Sequence, residues 1–488
     1  MAISFNEIPN TRVPFMYVEF DTSKAQQGPS VQQYTGLLIG QRLAAGTKLA
    51  EQLDSVSSAA QAAKFYGAGS MLHSMCKAWF DANQVTALKC ISLDDDGGSA
   101  KAAGDFTLGG SSIEAGTFHL MIGGRVYNVP VAAGDTPAAI VAAAVTLIQA
   151  DTDRHVDASI NATPEICDLD ARHGGLLGND IDFRVNYFSG EELPVNLTYT
   201  PTAMSGGTTD PDIADAIAVM TEDQYNIIGH PYTGAANLSA LEAELLDRFG
   251  PIRQNDGLAI SAKADSFANL VTLGDSRNSG HNCIVGSAGP SPSYEWAASL
   301  AATAAKFGSI DPARPFQTLP MSALRAPADS ERFSFTERDQ LLNDGIATFT
   351  VDSGGVVRVE RLITTYQENS FGSPDTALLD ANTLLTLSYL RFDFRSQFQN
   401  KYPRHKLGDD GTRFGPGQAV ITPKIAKAEA IAIFRGWEEL GLVENVDQFK
   451  RDILVLRSSS DPNRLEFQLP PDLLNQFRIG AAQIAFLL

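Results

Sequence analysis

The chain has 488 residues, of which 44% are hydrophobic and 19% charged, and its formal net charge is −20 at pH 7. This length exceeds that of one ordinary hydrophobic core, so we expect two to four domains. The acidity argues against general nucleic-acid binding, because phosphate contacts need clustered Lys and Arg. The longest apolar run, "AAIVAAAVTLIQA", is too short to span a bilayer, so we expect no membrane insertion.

The charge is unevenly distributed along the chain. Residues 375–488 contain 14 basic and 14 acidic residues, whereas residues 1–374 contain 23 basic and 43 acidic residues. The whole negative charge therefore lies in the first part of the chain. This asymmetry indicates two different surroundings for the two parts of the molecule.

The N-terminal region predicts an arm followed by the start of an α/β domain. "RVPFMYVEFD" (Arg12–Asp21) is β-rich but contains Pro14, which indicates an edge strand or an arm. After a linker come the strand "TGLLIG", a serine-capped helix that ends at Gly67, and the helix "SMLHSMCKAWFDAN". The apolar face of the second helix consists of Leu72, Met75, Cys76 and Trp79. The strand "VTALKCISL" completes a strand–helix–strand pattern.

This pattern is then interrupted by a β-rich segment. "FHLMIGGRVYNV" predicts a hairpin with Gly123 and Gly124 at its turn, and Thr136 and Pro137 predict the start of an alanine-rich helix. The α/β pattern resumes with the strands "YNIIGHP", "GLAISAK" and "HNCIVGS". We therefore predict an inserted β-rich domain over 99–207, within a discontinuous α/β core of 29–98 and 208–374.

The C-terminal region predicts a further α+β domain over 375–475, entered through a long helix from Thr376 to Gln399. In its helix "PKIAKAEAIAIFRGWEEL", a spacing of 100° per residue predicts one buried face: Ala426, Ala430, Ile433, Trp437 and Leu440. Lys424, Lys427 and Arg435 fall on a flanking stripe. That stripe is either a solvated face or a ridge that binds an acidic partner.

The last residues, "NQFRIGAAQIAFLL", are apolar to the end, although chain termini are usually polar and exposed. As a strand, this segment has apolar side chains on both faces and needs cover on both. One interpretation is that it pairs within its own domain. The other is that it adds a strand to the sheet of a neighbouring subunit.

No motif predicts an enzyme, a metal site or a cofactor site. "GDSRNSG" surrounds Ser276 with neither the glycines of an oxyanion hole nor a G-x-S-x-G elbow, which favours a turn at a helix end. Counted from Asp94, "LDDDGG" lacks the glycine and glutamate of a calcium loop, which favours a solvated turn between domains. The histidines lack zinc-site spacing, and His73 is interpreted as a packed or surface residue. Four widely spaced cysteines indicate reduced, buried thiols made in the cytoplasm: Cys76, Cys90, Cys167 and Cys283.

Three quoted segments carry a resemblance to a known family. "ISFNEIPNTRVPFMYVEFD", "GSMLHSMCKAWFDANQVTALKCISLDDDGG" and "QFRIGAAQIAFLL" resemble the tail sheath protein of Mu-like contractile-tail phages. The similarity covers the whole chain in the same order and at nearly the same length. No single motif is diagnostic, but the ordered set is specific.

The resemblance implies a structural subunit rather than an enzyme. Such subunits stack as hexameric rings around a tail tube and contract to drive it through the host envelope. The implied fold is α/β, or α+β overall, with a discontinuous core called the subtilisin-like sheath domain, which has no protease triad. The inserted domain would face outward, and its role is the least transferable part of the resemblance.

The resemblance also implies the partners and the residues that bind them. The partners are further copies of the chain, the tail tube protein, and baseplate and tail terminator proteins. The C-terminal domain would face the tube through Lys424, Lys427 and Arg435. Strand arms at 1–28 and 476–488 would link subunits through Val13, Phe15, Tyr17, Val18, Phe20, Phe477, Ile479, Ile484, Phe486 and Leu488. The implied location is the virion, and the host cytoplasm before assembly.

Two alternatives remain open. One is a sheath of a phage-derived contractile particle or secretion machine. The other is a soluble α/β hydrolase that uses Ser276, which would require a histidine and an acid to converge on that serine.

Overall fold

A computed structural model describes residues 32–487. The described chain forms two compact units, one of residues 33–388 with 473–487 and one of residues 389–472. No helix between residues 32 and 487 is both long and apolar enough to cross a bilayer. The arrangement of elements is mixed α/β, as predicted.

The first unit begins with the predicted strand–helix–strand pattern. Its elements are β1 (Thr35–Gln41), β2 (Leu53–Val56), α1 (Ala59–Tyr66), α2 (Met71–Ala82) and β3 (Ala87–Leu93). Side chains cap both helices, because Ser58 accepts from the Gln61 amide and Ser70 from the His73 amide. All four residues of the predicted α2 face are fully buried.

The β-rich segment follows. Its elements are β4 (Lys101–Gly109), β5 (Gly116–Ile122), β6 (Arg125–Val131), α3 (Pro137–Ala150), β7 (Val156–Ile160), β8 (Ile166–Gly174), a 3-10 helix (Leu176–Asp180), β9 (Phe183–Val185) and β10 (Thr198–Ser205). They form a four-stranded sheet, β10-β4-β8-β7, and a three-stranded sheet, β6-β5-β9. The hairpin of β5 and β6 turns at Gly123 and Gly124, both with positive φ, as its sequence predicts. A hydrophobic core of its own fills this segment.

The chain then returns to the α/β layers. The elements are α4 (Ile213–Val219), β11 (Ile227–Gly229), α5 (Ala235–Phe249), β12 (Leu258–Ala264), α6 (Phe267–Asp275), β13 (Asn282–Ser287), α7 (Ser293–Ile310), a 3-10 helix (Asp329–Glu331), α8 (Phe335–Asn343), β14 (Ile346–Val351) and β15 (Val357–Arg361).

One eight-stranded sheet unites these segments, in the order β15-β14-β13-β12-β11-β1-β3-β2. The six inner strands are parallel, and β15 and β2 pair antiparallel at the two edges. The inner strands are apolar on both faces because helices cover the sheet on both sides. One of these helices, α7, is itself buried around most of its circumference. The largest hydrophobic core lies between this sheet and its helices.

The inserted segment is joined to the α/β layers by polar contacts. Asp95 accepts from the Gly174 amide at 2.7 Å and from Gln41 Nε2 at 2.7 Å. Its Oδ1 also lies 3.0 Å from Nδ1 of His173, whose Nε2 accepts from the Met71 amide. The "LDDDGG" loop is a largely exposed turn, as predicted, and within it the oxygens of Asp95 fix the end of β8 beside the start of α2.

The second unit contains smaller elements. They are the part of α9 (Ala381–Lys401) from Tyr389 onward, β16 (Lys406–Leu407), β17 (Val420–Ile421), α10 (Pro423–Glu439), β18 (Val443–Glu444), α11 (Val446–Asp452), β19 (Leu454–Arg457) and β20 (Leu465–Gln468). A final short strand, β21, spans Asp472–Leu473 at its boundary. The long helix thus begins at Ala381 rather than at the predicted Thr376. The predicted limits of the domains, including 375 and 476, remain a prediction.

Candidate assembly interfaces

The C-terminal arm (476–488) exposes several large apolar side chains over its described residues, 476–487. The exposed fractions are 78% for Phe477, 84% for Ile479, 89% for Ile484 and 77% for Phe486. Leu488 lies outside the described residues. An exposed apolar segment of this length makes the arm a candidate interaction site.

The arm is not a strand in the isolated subunit. Between residues 474 and 487 the structure assigns neither helix nor strand, so the arm does not pair with any described sheet of its own chain. The interpretation that it pairs within its own domain therefore finds no support in residues 32–487. Strand pairing with a neighbour stays a prediction. The residues predicted for the N-terminal arm, Val13, Phe15, Tyr17, Val18 and Phe20, lie outside the described residues.

The helix α10 buries nearly the face predicted for it. Thr422 caps its start by accepting from the Ile425 amide, and Pro423 occupies its first position. The buried residues are Ala426, Ala430, Ile433, Phe434 and Trp437. Leu440 was expected on this face, but it is 53% exposed because the helix ends at Glu439.

The three basic residues predicted to face the tube differ in their surroundings. Lys424 and Arg435 are exposed, and within residues 32–487 neither forms an ion pair. They are eleven residues apart, or about 16 Å along the helix axis. Lys427 is partly buried and donates from Nζ to the Ile453 carbonyl at 2.9 Å. Two of the three side chains are therefore available to a partner, and the third connects α10 to the turn after α11.

The serine that the sequence raised as a nucleophile has a local role. Ser276 follows the last residue of α6, and its Oγ donates to the Leu273 carbonyl at 2.7 Å. This is the predicted turn at a helix end. Within residues 32–487, no group of three or more His, Cys, Asp or Glu side chains is arranged to hold a metal ion.

Sequence reasoning missed a buried polar group between the inserted segment and α7. His155 Nδ1 lies 2.9 Å from the Tyr294 hydroxyl, and its Nε2 lies 3.6 Å from Glu295 Oε1. Burial lowers the pKa of His155 to about 3 and raises the pKa of Glu295 to about 8. No sequence signal pairs these residues, because 140 positions separate His155 from Glu295.

Comparison with known proteins identifies the family. The model of the phage tail sheath protein central domain matches residues 206–365, and that of the phage tail sheath C-terminal domain matches residues 373–486. The Mu-like prophage FluMu tail sheath protein of Haemophilus influenzae is 41% identical over 490 residues, which cover all of both chains.

The comparison with solved structures matches two sheath proteins. The sheath tail protein of Desulfitobacterium hafniense is 11% identical, with a TM-score of 0.48 over 94% of this chain and 100% of that one. The sheath tail protein of Listeria innocua is 12% identical, with a TM-score of 0.48 over 93% and 95%. These scores are low, so the assignment rests on the sequence matches. The chain belongs to the phage tail sheath family and is a Mu-like contractile tail sheath subunit.

Proposed function

We propose that this subunit stacks in hexameric rings around a tail tube and that its arms join each subunit to its neighbours while the sheath contracts. As a tail sheath protein it is a component of the virion, and we infer that it is made and stored in the host cytoplasm. Contraction would drive the tube through the host envelope. The observation that carries the proposal is the exposure of the apolar side chains of the C-terminal arm over residues 476–487.

Strand addition explains why such an arm is uncovered in one subunit. Extended residues that join a neighbour's sheet gain main-chain hydrogen bonds, and their alternating side chains are buried on both faces. Burial contributes about 25 cal/mol for each Å² of apolar surface. Four large apolar side chains, Phe477, Ile479, Ile484 and Phe486, would therefore contribute several kcal/mol per subunit.

The experiment compares three proteins by sedimentation and negative-stain microscopy. They are the full chain, a chain that ends at Arg478, and a full-length triple variant with Ile479→Ser, Ile484→Ser and Phe486→Ser. We expect the full chain to form tubes or rings and both altered chains to remain monomeric. The serine variant controls for chain length. If both altered chains assemble like the full chain, the joining role of the arm is wrong.

We further propose that α10 faces the tail tube. Its exposed cations Lys424 and Arg435 have no ion pair among residues 32–487, and the unit that carries them belongs to the charge-balanced part of the chain. Each exposed ion pair contributes only about 0–1 kcal/mol. Such weak contacts suit a sheath that has to separate from the tube when it contracts. The inserted segment would face outward, and the baseplate and tail terminator proteins would meet the ends of the sheath.

The test of the tube contact is charge reversal. Lys424→Glu with Arg435→Glu should weaken co-assembly with tube protein, and the loss should be largest at low salt. Lys427 is left unchanged because its ammonium group binds the Ile453 carbonyl. The matched control is Lys64→Glu, an exposed residue of α1 in the acidic part of the chain. Equal co-assembly of the double variant and the control would refute the contact.

A further inference from the structure

The C-terminal arm leaves its own subunit at a defined point. Gln476 Nε2 donates to the Ala313 carbonyl at 3.0 Å, and Gln317 Nε2 donates to the Phe477 carbonyl at 3.4 Å. Beyond Arg478, no hydrogen bond joins residues 479–487 to the rest of the described chain. The hydrogen bonds of the arm with its own subunit therefore end at Arg478, among the described residues.

Arg478 itself is largely buried and forms an ion pair with its own subunit. Its side chain is only 13% exposed, and Nη2 donates to Asp380 Oδ1 at 3.0 Å. Longer bonds of 3.4 Å reach Asn382 Oδ1 and Gln317 Oε1, and a further contact reaches the side chain of Gln476. A planar guanidinium with several donors is well suited to fix a chain in one direction.

The carboxylate that holds Arg478 is itself fixed to the sheet. Asp380 accepts two hydrogen bonds of 3.0 Å from Arg361 of β15, and it directly precedes α9. One carboxylate thus joins a guanidinium of the eight-stranded sheet to a guanidinium of the arm. Burial lowers the pKa of Arg478, and Asp380 opposes this effect. Without Asp380, two neighbouring guanidiniums would lie in this partly buried place with no carboxylate between them.

We propose that the Asp380–Arg478 ion pair positions the C-terminal arm, so that every subunit of the sheath directs its arm toward the same neighbouring copy. This inference rests on the proposed joining role of the arm. Arg478 and Asp380 are positioning residues, since the apolar side chains beyond them make the contact. Eight residues separate Arg478 from Phe486, an exposed apolar side chain of the arm, and a fully extended segment of this length reaches at most about 29 Å. The surface of the neighbour that receives Phe486 must lie within that distance of Arg478.

The test compares Arg478→Gln with Arg478→Lys and with Arg332→Gln. Arg332 forms an ordinary surface ion pair with Asp329, far along the chain from the arm, and serves as the matched control. We expect Arg478→Gln to raise the protein concentration needed for polymerisation by about tenfold, which corresponds to the loss of one charged hydrogen bond. Arg478→Lys keeps the charge and should recover part of the loss, whereas Arg332→Gln should behave as the unaltered chain.

A second measurement separates positioning from general stability. In soluble subunits, chymotrypsin should cut after Phe477 faster in Arg478→Gln than in the unaltered chain, because the start of the arm is released. The thermal unfolding midpoint should fall by no more than about 2 °C, because the loss of one hydrogen bond has a small effect on the midpoint of a unit of this size. A lowered midpoint together with unchanged cleavage would refute positioning, because the residue would then act only on stability.

The experiments distinguish a failure of the positioning role of Arg478 from a failure of the joining role of the arm. If Arg478→Gln forms regular tubes at the concentration of the unaltered chain, positioning is wrong. In that case, failure of the chain ending at Arg478 to assemble would still uphold the joining role. If that shortened chain assembles as well, both the joining role and the positioning fail.

Discussion

Trp437 of α10 donates a hydrogen bond from Nε1 to Oδ2 of Asp393 in α9 at 2.7 Å, and both side chains are buried. Gln397 Nε2 binds the same oxygen at 2.7 Å. A buried carboxylate requires such donors, because its removal from water is otherwise unfavourable by several kcal/mol. This hydrogen bond therefore fixes α10 against α9 within the C-terminal unit.

Replacement of Trp437 by Phe should destabilise the C-terminal unit. The variant keeps an aromatic ring but leaves Asp393 with one donor fewer, at a loss of about 1.5–3 kcal/mol for a hydrogen bond to a charged group. Calorimetry of the full chain measures the effect as a lowered unfolding temperature. Trp296→Phe is the control, because Trp296 Nε1 is buried and has no hydrogen-bond partner among the described residues. Equal losses in the two variants would contradict a stabilising role for the Trp437–Asp393 bond.

A pair of glycine substitutions should have opposite effects on stability. A Cβ on Gly36 of β1 would lie 2.2 Å from the ring of the fully buried Trp79. Gly36→Ala should therefore destabilise the protein by more than about 2 kcal/mol. Gly436 lies within α10, and nothing lies within 4 Å of the position of its Cβ. Gly436→Ala should stabilise the helix by about 0.5–1 kcal/mol. Thermal unfolding of both variants checks the signs, and shifts in the same direction would contradict the packing described at these two glycines.

Local sequence signals predicted much of the fold. The serines before α1, the apolar spacing of α2 and the two glycines of the β5–β6 turn each act within a few residues, so the pattern reveals the element directly. The buried face of α10 followed from periodicity for the same reason. The exposed fraction of Leu440 differed from the prediction, because periodicity does not reveal where a helix ends.

Contacts between distant residues were not predictable. Strand β2 has only four residues and pairs antiparallel with β3, so its pattern is too short to stand out from a loop. The bonds of Asp95 to Gly174 and of Asp380 to Arg478 join residues 79 and 98 positions apart. Nothing local to either carboxylate specifies its partner. The sequence indicated that the arm needs cover but contained no signal for the point at which it leaves the subunit.

The four cysteines should be unreactive in the folded protein. All four are buried and free of disulfides, and the sulfur atoms of Cys76 and Cys90 are 3.5 Å apart. Burial raises the pKa of Cys167 to about 12 and also raises the pKa values of Cys90 and Cys283, which suppresses the reactive thiolate. A thiol reagent at neutral pH should label none of them rapidly in native subunits and all four after denaturation. Rapid labelling of any native cysteine would contradict the described core.

The pair of Glu295 and His155 should limit stability at both ends of the pH range. Because burial raises the pKa of Glu295 from 4.5 to about 8, the folded state keeps a proton that the unfolded state releases. The contribution of Glu295 to the free energy of unfolding is therefore fully present below pH 4.5 and is lost as the pH rises through 8. Burial lowers the pKa of His155 from 6.5 to about 3, so its contribution is full above pH 6.5 and is lost as the pH falls toward 3.

Glu295→Gln should remove the loss of stability on the alkaline side. The side chain of Glu295 is 17% exposed, and a neutral amide of the same shape carries no charge to desolvate. The free energy of unfolding of the variant should therefore increase relative to that of the unaltered chain as the pH rises from 4.5 to 8, by an amount on the order of a few kcal/mol. Unfolding midpoints at several pH values measure the difference. The exposed Glu192→Gln is the control and should follow the unaltered chain at every pH. The prediction would be wrong if the difference in unfolding midpoint between Glu295→Gln and the unaltered chain stayed constant from pH 4.5 to 8. A constant difference would show that Glu295 does not titrate in this range, because the difference depends on pH only if folding changes the protonation of Glu295.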